Sequence, residues 1–147
     1  MQSSHTETID AFRRLCRQKG IAATHQRHTV YQCVMNSKDH PTPELIYERV
    51  REEFPFISLA TVYKCLHTFI DVGLLKPASL HHGSLRVDPN LHRHHHLVCK
   101  ICGSMTDVGD DQIVQPRFVG KLPRGFRVEA IAVEVIGTCA DCQQQVQ

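Results

Sequence analysis

The hydrophobic positions in the first part of the chain recur with the spacing of amphipathic helices. Apolar residues three and four positions apart predict a helix over residues 8–19 and three further helices, which begin after Thr24, Thr42 and Ser58. Each of these three side chains has an oxygen that can accept a hydrogen bond from the first helical turn, as N-caps do. Pro43 at the first helical position strengthens the third start, and Gly73 ends the fourth helix after residue 72.

The pattern then changes to two short extended stretches, residues 74–78 and 84–88, which flank His81-His82-Gly83 and predict a β-hairpin. Helices followed by a hairpin are the order of a winged helix-turn-helix, in which the fourth helix would lie in a DNA major groove. The polar face of that helix presents Ala60, Tyr63 and Lys64. The same pattern is also typical of a small helical core with a solvated outer face.

Composition divides the chain into two parts, which we place at residues 1–87 and 88–147, with turn residues Asp88-Pro89-Asn90 at the boundary. The net charge is only +2 over 147 residues, which is too weak to demonstrate nucleic-acid binding. Four of the seven cysteines and the densest group of the eleven histidines lie after residue 90. Metal or redox chemistry is therefore expected in the second part of the chain.

Several classes of protein are excluded by composition. A chain with 41% hydrophobic and 22% charged residues is expected to fold rather than to be disordered. The sequence contains no apolar run near the roughly 18 residues that a membrane span needs, and its N-terminus lacks the apolar segment of a signal peptide. We therefore expect a soluble cytoplasmic protein. An odd number of cysteines in a reducing compartment argues against a disulfide framework.

Two C-x-x-C pairs, Cys99 with Cys102 and Cys139 with Cys142, predict a four-cysteine zinc site. Four thiolates leave no open position on the metal, so this zinc would be structural. A redox dithiol and an iron–sulfur or rubredoxin-like centre are the alternatives. The remaining cysteines stand singly in predicted helices and are interpreted as packing residues: Cys16, Cys33 and Cys65.

A histidine-rich segment precedes the first pair of cysteines. If it is a strand, His94 and His96 face one side and His95 faces the other. Asp88 lies upstream, and Asp107 lies on the predicted returning strand. Two imidazoles with hard carboxylates suit a divalent ion such as Fe²⁺, Mn²⁺ or Zn²⁺. Adventitious metal binding by a histidine-rich tract is the alternative.

These motifs together resemble the ferric uptake regulator (Fur) family of metal-dependent bacterial transcription factors. The resemblance covers residues 20–142, nearly the whole chain. It rests on the histidine-rich strand, the two C-x-x-C pairs and four further segments: Thr24-His25-Gln26-Arg27, residues 40–47, Ser58-Leu59-Ala60-Thr61-Val62-Tyr63-Lys64 and Val72-Gly73-Leu74. Two residues depart from the usual pattern, since Lys64 replaces an arginine and Cys65 replaces an asparagine.

The resemblance implies an α+β protein with an N-terminal winged helix-turn-helix and a small C-terminal α/β dimerisation domain that holds the four-cysteine zinc. It implies a homodimer that binds double-stranded operator DNA. The residues expected to face DNA are Arg27, Ser58, Ala60, Thr61, Tyr63 and Lys64. A regulatory Fe²⁺ or Mn²⁺ would lie between the domains, and the ligands expected for it are His40, Asp88, His94, His96 and Asp107.

Within the family, the two aspartates resemble the peroxide-sensing branch, of the PerR type, because iron sensors usually have glutamate at both positions. That branch implies repression that ends when peroxide and ferrous iron oxidise a histidine ligand, His94 or His40. The alternative is an iron-responsive regulator without peroxide sensing. Arg93 stands where some iron sensors have a further metal ligand, so a third metal site is not expected. The alternatives from other functional classes are a zinc hydrolase and an electron-transfer protein. We expect no enzymatic activity.

Overall fold

A computed structural model describes residues 2–78 and 85–144, with side chains from residue 8 onward. The chain forms two compact units, Met1–Leu91 and His92–Gln147. Asp88 is predicted to belong to the second domain, whereas the structure includes it in the first unit, on a strand in which it pairs with Lys76. The division into a DNA-binding and a dimerisation domain stays a prediction.

The described residues of the first unit form four helices, three of which begin at the predicted caps. The side chains of Thr24, Thr42 and Ser58 each accept a hydrogen bond from the backbone N–H three residues later. The fourth helix ends one residue before its predicted end. The helices are α1 Gln2–Gln18, α2 His25–Met35, α3 Pro43–Val50 and α4 Leu59–Asp71.

These helices enclose one core, in which the aromatic rings of Phe12 and Phe69 meet edge to face with centroids 6.3 Å apart. Cys16 and Cys65 are buried in it and Cys33 packs against it, as expected of packing residues. The helical spacing also places Met35 on the buried side of α2, and the structure corrects this prediction. Met35 is 48% exposed because it is the last residue of that helix.

The predicted hairpin is present as two short antiparallel strands, β1 Lys76–Pro77 and β2 Val87–Asp88. Its predicted turn, His81-His82-Gly83, lies outside the described residues, as does Ser84. Four helices followed by this strand pair give the predicted winged helix-turn-helix arrangement.

The second unit contains a three-stranded sheet in the order β4-β3-β5, with β3 His95–Cys99, β4 Met105–Val108 and β5 Glu134–Gly137. Strand β3 pairs antiparallel with β4 and parallel with β5. A 3-10 turn, Asp110–Gln112, follows β4, and the short helix α5, Ala140–Gln144, follows β5. The predicted α+β class is therefore confirmed. In the described part of the chain, no helix is both long enough and apolar enough to cross a membrane.

Candidate metal centres and nucleic-acid interface

The four cysteines of the C-x-x-C pairs meet at the carboxyl end of two parallel strands. Cys99 is the last residue of β3, and Cys139 follows the end of β5 by two residues. All four sulfurs lie within 4.8 Å of one another, and those of Cys102 and Cys139 are 3.8 Å apart. Zn–S bonds of about 2.3 Å in a tetrahedron place the sulfurs about 3.8 Å apart, so the site suits structural zinc.

Electrostatics within this cluster favour a bound cation. The backbone N–H of Cys139 donates to the Cys99 sulfur at 3.4 Å, and this bond is the main reason that the pKa of Cys99 falls to about 6. The Ser104 hydroxyl lowers the pKa of Cys102. A hydrogen bond to the Cys139 sulfur raises the pKa of Cys142 to about 12. Because metals bind thiolates rather than thiols, a bound dication would favour the ionised form of the cluster.

A second group of ligand atoms converges in the same unit. The Nε2 atoms of His94 and His96 are 3.0 Å apart, and they lie 3.4 and 3.5 Å from one carboxylate oxygen of Asp107. Asp107 is opposite His96 in the β3–β4 register, so the predicted returning strand is confirmed. Two imidazole nitrogens and a carboxylate oxygen at this separation form part of a site for Fe²⁺, Mn²⁺ or Zn²⁺.

The tautomer of His94 is fixed by its other ring nitrogen. Nδ1 of His94 lies 2.7 Å from the carbonyl oxygen of His92, which can only accept a hydrogen bond. Nδ1 therefore carries a proton, so in the neutral imidazole the lone pair is on Nε2, which lies beside His96 and Asp107. A backbone carbonyl in this role orients a metal-binding imidazole and increases its basicity.

The other two expected ligands of the regulatory ion form a buried pair in the first unit. Nδ1 of His40 is 3.7 Å from Oδ1 of Asp88, and the Asp88 side chain is fully buried. Strand β2 brings them together, because the N–H of Val87 donates to the carbonyl of Pro41 at 3.3 Å. His40 adopts a φ of 46°, a left-handed conformation that is uncommon for a residue with a side chain. Such strain is often found at functional sites.

His95 lies on the opposite side of β3, as alternation predicts, and forms a contact that the sequence analysis missed. Its Nδ1 accepts from the N–H of Val133 at 3.2 Å, and its Nε2 lies 2.9 Å from Asp110. Arg93 pairs with the same Asp110 oxygen at 3.4 Å. From the sequence, only Asp110 could have been identified as a candidate partner of His95, because it is a carboxylate just beyond the returning strand. The guanidinium supplies positive charge to this carboxylate.

The exposed face of α4 carries the side chains expected to meet DNA. Ala60 and Lys64 are exposed, and the rings of Tyr63 and His67 stack with centroids 6.3 Å apart. The Tyr63 hydroxyl donates to Glu44 of α3 at 2.6 Å, a partner that local spacing did not reveal. The helix face therefore presents a small residue, an aromatic residue and a cation together.

The other expected DNA contacts have bonds within their own unit. The Ser58 hydroxyl accepts from the N–H of Thr61 at 3.1 Å and lies 2.8 Å from the Thr61 hydroxyl, so both side chains belong to the α4 cap. The Arg27 guanidinium donates to the carbonyl of Ala22 at 2.8 Å. A role for these three residues in DNA binding stays a prediction.

Comparison with known proteins gives a consistent result. A model of the ferric uptake regulator family matches residues 18–136. The chain is 34% identical over 129 residues to the peroxide-responsive repressor PerR of Staphylococcus aureus strain Mu50, covering 88% of this chain and 87% of that protein. The structure of the Helicobacter pylori ferric uptake regulator aligns with a TM-score of 0.70 at 17% identity, covering 94% and 93% of the two chains. PerR from Streptococcus pyogenes aligns with a TM-score of 0.51 at 28% identity, covering 92% and 93%.

Proposed function

Because the chain belongs to the ferric uptake regulator family, we propose that it is a transcriptional repressor rather than an enzyme, and that it senses peroxide. In this proposal a homodimer binds operator DNA in the cytoplasm when a regulatory metal ion is bound. The observation that carries the proposal is the convergence of His94, His96 and Asp107 on one point, with the His94 tautomer set for metal binding. The similarity to a peroxide-responsive repressor supports the sensing function.

The regulatory ion takes ligands from both units in this proposal: His40 and Asp88 from the first, and His94, His96 and Asp107 from the second. The donor set of nitrogens and hard oxygens suits Fe²⁺ or Mn²⁺, whereas the four thiolates suit zinc. Metal binding then favours the arrangement of the two units in which all five ligands reach the ion. An ion that bound every arrangement equally would leave DNA affinity unchanged.

In this proposal, the protein senses peroxide only when the regulatory ion is ferrous iron. Ferrous iron held by these five ligands would supply the electrons that reduce hydrogen peroxide beside the imidazoles of His94 and His40. Overall, one hydrogen peroxide delivers one oxygen atom to a ring carbon of His94 or His40 and leaves as one water. An oxidised imidazole is a poorer ligand, so the ion is released and repression ends. The alternative, an iron-responsive regulator, has the same ligands but no such oxidation.

Metal dependence of DNA binding tests the repressor proposal. A palindromic duplex selected from random DNA should bind the zinc-containing protein about 100-fold more tightly with Mn²⁺ than without it, and binding should weaken steeply with salt. Fluorescence anisotropy measures both effects. Asp107→Asn should abolish the response to Mn²⁺, whereas Asp111→Asn, on the nearby 3-10 turn, should retain it. Equal affinity with and without Mn²⁺ in the unaltered protein would contradict the proposal.

The homodimer is proposed to form through β5, an edge strand of the sheet. The carbonyl of Val133 accepts from His96 of β3 and that of Gly137 accepts from Lys100, which follows β3, so alternation turns the N–H and C=O of Ile136 to the other edge. Val135 and Ile136 are 43% and 60% exposed, and apolar edge strands readily pair with a second copy.

Charge placed on that edge should dissociate the dimer. Ile136→Asp should weaken dimerisation at least about 100-fold, because it places a carboxylate against its own copy in an apolar interface. Thr106→Asp adds the same charge to the opposite edge strand, β4, and should leave the dimer intact. Sedimentation equilibrium on zinc-containing protein measures both variants. A dimeric Ile136→Asp variant with unchanged affinity would exclude β5 as the interface.

A further inference from the structure

The hydrogen bond between Tyr63 and Glu44 determines how the tyrosine hydroxyl can meet another molecule. The two side chains come from α4 and α3, and their oxygens are 2.6 Å apart on the exposed surface. A phenolic hydroxyl can donate one hydrogen bond and accept others. Its behaviour towards a ligand therefore depends on whether its single proton is already engaged.

Glu44 stays ionised and can only accept. It lies in the first turn of α3, where the helix dipole favours negative charge. The bond from Tyr63 is the largest cause of the lowered pKa of Glu44, followed by a bond from its own backbone N–H. The same bond raises the pKa of Tyr63, so the phenol keeps its proton at neutral pH. The Tyr63 proton is therefore directed to Glu44, and only oxygen lone pairs remain for other partners.

A hydroxyl that can only accept is selective in a DNA major groove. The donors that base edges present there are the amino groups of adenine and cytosine, whereas guanine N7 and O6, adenine N7, thymine O4 and the phosphates are acceptors. Tyr63 would therefore bond favourably to an amino base. Glu44 would disfavour contact with a phosphate for two reasons. Its negative charge repels the phosphate, and the Tyr63 proton that could bond to a phosphate oxygen is already bonded to Glu44.

We propose that Glu44 is a positioning residue for base recognition, which makes Tyr63 specific for adenine or cytosine at one position of each operator half-site. The inference rests on the proposed DNA-binding function. Stacking on His67 helps to fix the tyrosine ring, and Glu44 acts only through the tyrosine hydroxyl.

Selection from random DNA tests the inference with the Mn²⁺-loaded, full-length protein. The unaltered protein should enrich adenine or cytosine about tenfold over guanine or thymine at one symmetric pair of positions. Tyr63→Phe should lose this preference, while the base preferences at the other operator positions should persist. Glu44→Ala should reduce the tenfold preference to about twofold, because the tyrosine proton becomes free to serve an acceptor base. Glu44→Gln should also reduce it to about twofold, because the amide N–H can donate to the tyrosine oxygen and leave its proton free.

Glu48→Gln is the matched control. Glu48 is on the same helix, its side chain is 62% exposed, and its recorded ion pair is with Arg51. Glu44→Gln and Glu48→Gln each remove one negative charge and should increase the non-specific affinity for DNA equally. Only Glu48→Gln should keep the tenfold base preference. Because Glu44 is exposed, its two variants should also retain the unaltered helical circular dichroism.

A direct measurement completes the test. Replacing the selected adenine by purine, or the selected cytosine by 2-pyrimidinone, removes the amino group alone. Affinity should fall about tenfold for the unaltered protein and for Glu48→Gln, and by less than twofold for Tyr63→Phe and both Glu44 variants. If the unaltered protein binds DNA but Glu44→Ala retains the full preference, the inference is overturned and the repressor proposal stands. If the unaltered protein selects no DNA, both fail.

Discussion

Replacing Cys99 with serine is expected to remove the structural zinc and unfold the second unit. Structural zinc contributes about 10–16 kcal/mol of apparent binding free energy, which equals or exceeds the whole stability of a typical small domain. The large apolar core lies in the first unit, whereas the second has a three-stranded sheet with few buried side chains. Without zinc, that sheet loses the link between the end of β3 and the segment after β5.

Two measurements check this expectation. Zinc content should fall from about one ion per chain to near zero. Hydrogen exchange should show loss of amide protection in β3 and β4 while α4 keeps its protection. Cys33→Ser, which changes a half-buried thiol in the first unit, should retain zinc and protection throughout. A Cys99→Ser variant with full zinc occupancy and a protected β3 would contradict the assignment.

Hydrogen peroxide is expected to abolish DNA binding by the ferrous form and to spare the manganese form. Ferrous iron and Mn²⁺ suit the same ligands, but of the two ions only ferrous iron readily donates electrons to hydrogen peroxide. Loss of one imidazole ligand should release the ion and weaken DNA binding about 100-fold, to the level of metal-free protein. Anaerobic protein loaded with either ion, treated with peroxide and assayed for binding by anisotropy, measures the difference.

The controls separate sensing from general damage. Catalase added before peroxide should preserve DNA binding by the ferrous form. Zinc content should stay unchanged in all samples, which excludes oxidation of the four cysteines as the cause. If the ferrous form keeps its affinity after peroxide, the iron-responsive alternative is favoured. If both forms lose affinity equally, the regulatory metal has no role in the response.

Local chemistry made parts of this fold predictable. The starts of α2, α3 and α4 follow from the caps Thr24, Thr42 and Ser58, because a cap depends on neighbours a few residues away. The C-x-x-C spacing likewise indicated a zinc site before the parallel pairing of β3 and β5 was known. These features are encoded within short stretches of sequence.

Long-range pairs could not be predicted from spacing. His40 and Asp88 meet because β2 bonds to Pro41, a contact across more than forty residues, and only the family resemblance suggested the pair. Glu44 and Tyr63, like His95 and Asp110, meet through packing that no local pattern records. The short length of β1 and β2 also followed from pairing rather than from β propensity.

Mass spectrometry of the peroxide-treated ferrous protein tests the central claim most directly. Trypsin separates the relevant histidines, since His40 falls in residues 39–49, His92 in residues 87–93 and His94 in residues 94–100. The account predicts one added oxygen atom on a histidine of the first or third peptide, only with iron, and no change on His92. Fragmentation should assign the third-peptide oxygen to His94 rather than to His95. Absence of any iron-dependent oxygen on His40 or His94 would contradict peroxide sensing by this protein.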